Sequence, residues 1–142
     1  MNPMAADPRY QLTLVNELAE LRRMSAWLNQ AGCELGISPE RIAELEVCAN
    51  EAVTNIISYA YDAPGSREIA LHLVSAGDGA SLTIEDDGRA FDPLAAPLPA
   101  APASLAAAAI GGLGIKLMRS MMADCAYRRS GGKNLFTLTT HP

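Results

Sequence analysis

Cysteine is scarce and unpaired in this chain of 142 residues. Cys33, Cys48 and Cys125 lie far apart, with no CxxC pair, so neither a zinc-ligand spacing nor an even disulfide framework is present. Isolated cysteines of this kind behave as small buried hydrophobes in a reducing compartment. Long apolar runs are also missing. No stretch of 18 or more apolar residues is available to cross a bilayer. The opening MNPMAADPRY has no charged segment followed by an apolar one, so no signal peptide is expected and the expected address is the cytoplasm. Positive charge is in deficit, with a net charge of −5 and a pI of about 4.9. An acidic surface repels phosphate backbones, which argues against nucleic-acid binding. No internal repeat is visible.

What remains is ordinary globular material, 49% hydrophobic and 19% charged, in a length that suits one domain spanning residues 1–142. Tyr10 to Leu14 alternates as a strand. Glu17 to Ala31 places Leu18, Leu21, Met24 and Leu28 at helical spacing, and Gly32 and Gly36 mark its end. The next helix is the best defined. Ser38 is a good N-cap, Pro39 suits the first helical position and Glu40 complements the helix dipole. Ile42, Leu45, Ala49, Val53, Ile56 and Ile57 then carry the apolar face, and the helix should stop near Tyr61, before Asp62-Ala-Pro-Gly65.

Strands are expected at Glu68–Ser75 and Ser81–Glu85, joined by the turn Ala76-Gly-Asp-Gly79. The stretch 93–109 holds nine alanines and four prolines, which have little to bury, so a lid is expected at about 93–110. A helix over Ile115–Met122 and strands at Cys125–Arg129 and Leu135–Thr139 follow, the strands joined through Ser130-Gly-Gly132. Short turns between strands imply antiparallel pairing, and the helices must then cover one face. The expected fold is α+β: a two-layer sandwich, with a mixed, mainly antiparallel sheet covered on one face by about three helices.

Three short segments carry the chemistry. Glu51 and Asn55 stand four apart, one helical turn from each other, among small and apolar neighbours. A carboxylate and an amide on a mostly buried helix need partners. They can partner each other beside the core. Alternatively, the amide oxygen can ligate magnesium while the carboxylate takes a proton. Ile84-Glu-Asp-Asp-Gly-Arg-Ala-Phe-Asp92 ends a strand in two carboxylates and a glycine. It reads as a strand-end turn, or as a place where a carboxylate accepts an exocyclic amine and Gly88 lets a ligand near the backbone. Gly111-Gly-Leu-Gly-Ile115 precedes a helix, where backbone N–H groups make an anion site, with Lys116 and Arg119 near enough to add charge or to form a solvated face.

Together, in this order, the segments resemble the boxes of the GHKL ATPases. E-A-V-T-N at Glu51–Asn55 resembles the N box, D-D-G-R-A-F-D at Asp86–Asp92 the G1 box, and G-G-L-G-I at Gly111–Ile115 the G2 box. LEVCANEAVTNIISYAY and EDDGRAFDP are most similar to the bacterial anti-sigma-factor serine/threonine kinases.

The resemblance implies a Bergerat-type ATP-binding fold with ATP and Mg2+ as cofactors. Glu51 would be the general base and Asn55 the magnesium ligand. Asp86 would meet the adenine amine, Gly88 would admit the base, and Gly112, Gly114 and Lys116 would lie at the phosphates. It also implies partners: a small antagonist protein phosphorylated on serine, a sigma factor or similar target, and a second copy of the chain in a homodimer. Ala90 stands where a second glycine is common in the G1 box, and a threonine usual near adenine has only Asn134 and Thr137 as candidates here. The altered lid and Ala90 favour the alternative of a nucleotide-gated binding module without kinase activity. A self-phosphorylating histidine kinase is disfavoured, since His72 falls in an expected strand and His141 at the end of the sequence. Arg22 and Arg23 offer either a solvated face or a contact for an acidic partner.

Overall fold

A short 3-10 turn at Pro8–Tyr10 leads into strand β1, Gln11–Val15. These elements come from a computed structural model that describes residues 7–94 and 114–142. The expected lid, apart from its first two residues, and Gly112 therefore lie outside the described residues.

Helix α1, Leu21–Glu34, follows a 3-10 turn at Leu18–Glu20, so the regular helix starts later and ends later than the sequence spacing predicts. Its end is a Schellman motif. Gly36 has φ of 76°, its N–H reaches Cys33 O at 3.0 Å, and the N–H of Ile37 reaches Gly32 O at 2.9 Å. Ile37 itself is buried, which anchors the turn.

Helix α2, Pro39–Tyr59, starts as its sequence dictates. The Ser38 hydroxyl accepts from the N–H of Arg41 at 3.3 Å, and Pro39 and Glu40 occupy the first turn. Ile42, Leu45, Ala49, Ala52, Val53 and Ile56 turn inward.

The sheet has the order β1-β2-β3-β5-β4, with β2 at Glu68–Ala76, β3 at Gly79–Asp86, β4 at Met122–Ser130 and β5 at Lys133–Thr140. Its four pairings are all antiparallel. Two hairpins build most of it. Gly77 opens the β2–β3 loop with φ of 61°, and Gly131 and Gly132, at 58° and 77°, form the β4–β5 loop. Two-residue loops need such positive φ to match strand twist. Residues 114–121 form helix α3.

Alternation along the strands sends one set of side chains to the helices. Leu14, Ile69, Leu71, Leu73, Leu82, Ile84, Phe136 and Leu138 meet Met24, Leu28, Leu45, Val53 and Met118 in one core. The opposite set, including Thr13, His72, Thr83, Glu85 and Thr137, faces away from the helices and is only partly covered. Of the cysteines, only Cys48 is fully buried; Cys125 is half-buried and Cys33 exposed. Position Cys33 faces outward on the last turn of α1, which corrects the expectation that all three are core residues.

Candidate nucleotide site

Helix α2 brings Glu51 and Asn55 to one face, both half-buried. Asn55 Nδ2 lies 3.5 Å from Glu51 Oε1, a long hydrogen bond. With its amide nitrogen turned to the carboxylate, Asn55 has its carbonyl oxygen left for a cation. Glu51 also lines a shallow concavity with Glu46, Val47, Asn50 and Thr54, so its carboxylate is reachable from outside.

The first turn of α3 comes close to Glu51. A Cβ at Gly114 would lie 2.6 Å from Glu51 Cδ, closer than real atoms approach. A side chain at Gly114 would therefore push the Glu51 carboxylate aside, a constraint independent of any phosphate. Lys116, two residues on, is exposed.

At the end of β3, Asp86 is 2% exposed. Its Oδ1 accepts from the N–H of Gly88 and from Asn134 Nδ2, both at 2.9 Å. Its Oδ2 is buried and has no hydrogen-bond partner. Burial pushes the carboxyl group above its ordinary range, while the Asn134 amide and the Gly88 N–H pull the other way. An unpartnered buried carboxylate oxygen is costly and calls for a donor. Gly88 fits tightly as well: a Cβ there would overlap the Ala60 carbonyl oxygen and lie 2.8 Å from Ala60 Cβ. The close approach at this glycine is therefore to the end of α2, and the N–H of Arg89 seals it by donating to Ala60 O at 3.0 Å. Ala90 is exposed.

A second layer holds these groups, and sequence patterns gave no sign of it. Tyr61 donates its OH to Asp87 Oδ1 at 3.1 Å and accepts from the Asp87 N–H at 3.2 Å. Arg67 pairs with Asp87 at 2.7 Å and lies over the Tyr61 ring. Asn16, fully buried, accepts from the N–H groups of Gly65 and Arg67 and donates to Ala63 O. That single side chain fixes the loop between α2 and β2. Lone Asn and Tyr residues carry no periodicity, so only the fold reveals them.

The two late-strand candidates separate cleanly. Thr137 lies on the sheet's far side, its hydroxyl 3.2 Å from that of Thr83. Asn134 lies on the helix side, against Asp86. Arg23 is tied back to Glu20 at 2.7 Å and to Thr13 O at 2.6 Å, which leaves Arg22 as the freer of the adjacent arginines.

These residues fit Mg·ATP. The orphaned Asp86 Oδ2 needs a donor such as an amine. Among the described residues no group of three His, Cys, Asp or Glu could hold a metal by itself, so a magnesium ion would use Asn55 together with phosphate oxygens. No described helix is long and apolar enough to cross a membrane.

Known proteins share this chain's sequence pattern and fold. The sequence profile of the histidine kinase-like ATPase domain matches residues 14–140. A serine/threonine-protein kinase of Bordetella bronchiseptica, BtrW, is 41% identical over 97 residues, 68% of each chain. The serine-protein kinase RsbW of Listeria monocytogenes is 29% identical over 118 residues, 80% of this chain and 74% of that one. A Mycobacterium tuberculosis structure of RsbU and RsbW domains superposes with a TM-score of 0.60 at 18% identity, covering 92% of this chain and 32% of that one, a likeness of fold.

Proposed function

We propose a function from one premise: the chain belongs to the histidine kinase-like ATPase domain family. It is an ATP-dependent serine/threonine protein kinase, as its relatives in Bordetella and Listeria are named. It phosphorylates a small antagonist protein and, when free of it, binds a sigma factor or similar target. The chain acts as a homodimer in the cytoplasm. Support for the regulatory part comes from the similarity of LEVCANEAVTNIISYAY and EDDGRAFDP to anti-sigma-factor kinases.

Asp86 Oδ2 accepts the adenine amine, and Gly88 keeps the G1 turn tight beside it. Asn55 would contribute its carbonyl oxygen to Mg2+, Gly114 and Lys116 would lie towards the phosphates, and the resemblance implies the same role for Gly112. Bound magnesium supplies charge neutralisation as negative charge builds on the transferring phosphoryl group. Glu51 takes the proton of the partner's serine or threonine hydroxyl as that oxygen bonds to the γ-phosphorus. The bond from the γ-phosphorus to the bridging oxygen breaks, and ADP leaves with the electron pair. Phosphate on the antagonist then weakens its binding by added charge.

The observation that carries this reading is the half-buried Glu51–Asn55 pair, reachable from outside on a helix whose carboxylate is packed by Gly114. Radiolabelled ATP, magnesium and a serine-bearing antagonist test it. Glu51→Gln should retain ATP binding and lose phosphate transfer by about a hundredfold or more. If the unmodified chain binds ATP and partner but transfers nothing, the nucleotide-gated binding module is the better account.

A further inference from the structure

Asn134 is the side chain nearest in kind to a base-reading residue, yet every hydrogen-bonding position on it is already taken. Its two amide hydrogens go to Asp86 Oδ1 at 2.9 Å and to Arg89 O at 2.8 Å. Its carbonyl oxygen accepts from the N–H of Phe91 at 3.2 Å, the OH of Tyr127 at 2.6 Å and Arg129 Nη1 at 3.1 Å. An amide has two hydrogens and two lone pairs, so nothing is left over for a ligand. Asn134 is also buried, 3% exposed.

Its neighbours continue the same network. Arg129, its register partner on β4, donates through Nη1 to Gly88 O as well, at 2.8 Å. Asn134 and Arg129 thus hold the carbonyls of Gly88 and Arg89, the N–H of Phe91 and one oxygen of Asp86. The end of β3 at Asp86 and three points of the turn after it, at Gly88, Arg89 and Phe91, are pinned from two strands of one hairpin. The one polar atom in this set without a partner is Asp86 Oδ2.

Resting on the nucleotide reading above, we infer that Asn134, with Arg129 and Tyr127, is a positioning residue: it touches no part of the nucleotide, and it aims Asp86 so that a single carboxylate oxygen reads the base. Adenine recognition in this chain then passes through one atom, and the β4–β5 hairpin sets where that atom points.

A double-mutant cycle with ADP, read by calorimetry, separates positioning from contact. The unmodified chain binds ADP. Asn134→Ala weakens it about tenfold to a hundredfold, the range of one hydrogen bond to a charged group, and Arg129→Met weakens it about threefold to tenfold. Asp86→Asn keeps the bonds from Gly88 and Asn134 while removing the acceptor. In that background each second substitution changes ADP affinity by less than about threefold.

Asp86 faces Asp87 beside it, Arg129 from β4 and Tyr61 beyond α2. Loss of the Asn134 amide hydrogen bond therefore shifts the acid limb of ADP binding to higher pH in Asn134→Ala. Equal losses in both backgrounds would mean that Asn134 meets the nucleotide directly, and would overturn the inference while leaving the nucleotide site intact. No ADP binding by the unmodified chain sinks both. Should Asn134→Ala fail to fold, Arg129→Met at its more exposed position carries the same cycle.

Discussion

Asp86 holds the sharpest conflict at the scale of a single residue, because what suits a ligand harms the free protein. Its carboxyl group is raised by burial, so the folded chain keeps a proton that the unfolded chain has lost. Between the ordinary carboxylate range and the raised folded value, the folded state binds more protons. The contribution of Asp86 to stability therefore falls as pH rises through that window, and is constant below and above it. Asp86→Asn removes this dependence. Denaturant melts should show the variant gaining on the unmodified chain from about pH 3 upward and at least matching it at pH 7. ATP affinity should meanwhile drop about tenfold to a hundredfold, the loss of one charge-assisted hydrogen bond. A variant that loses both stability and binding at pH 7 would show that the buried oxygen has a partner in solution.

Elements set how the groups meet. Helix α2 carries Glu51 and Asn55 and starts at a single side-chain cap. Ser38→Ala should cost about 1 kcal/mol of unfolding free energy, read by urea melts, with ATP affinity unchanged in the folded fraction. Leu45, 1% exposed and facing the core, is the stronger lever: Leu45→Ala should cost about 2–5 kcal/mol. Gly114→Ala acts differently. Its methyl group must displace the Glu51 carboxylate, so phosphate transfer should fall about tenfold or more while the melting midpoint moves little. A Gly114→Ala enzyme with unchanged turnover would show that Glu51 has room to spare.

Boundaries of these elements were legible wherever local chemistry decides them. The Ser38-Pro39-Glu40 start and both glycine hairpins fall where the sequence puts them, whereas α1 runs through Gly32 and is stopped at Gly36 alone. Strand β3 runs from Gly79 rather than Ser81, and β4 from Met122 rather than Cys125. Strand ends are fixed by ladder partners on other strands, which a local pattern does not contain.

For the molecule as a whole, the α+β sandwich with one helical layer was legible from the alternation of strand and helix periods. The strand order was not. β5 lies between β3 and β4, so each late hairpin strand had to be placed by tertiary packing. The candidate site was legible in its first layer, at Glu51, Asn55 and Asp86, because those residues sit in short segments of recognisable order. Its support was not, because Asn16, Tyr61, Tyr127 and Arg129 act across 5 to 51 residues of chain. Asn16→Ala tests that support. Two backbone N–H groups lose their acceptor, so unfolding free energy should fall by about 1–3 kcal/mol. Hydrogen exchange should quicken first at Gly65 and Arg67.

The position of Asn134 on the last strand has a consequence for synthesis. Asp86 is made well before Asn134, yet its carboxylate is aimed only after β5 has docked beside β3. On the proposed function, a nascent chain still short of β5 would have α2 and its carboxylate but no working adenine pocket. Nucleotide capture would thus wait for β5, and a product cut short of that strand would be left without the ligand that stabilises the folded one.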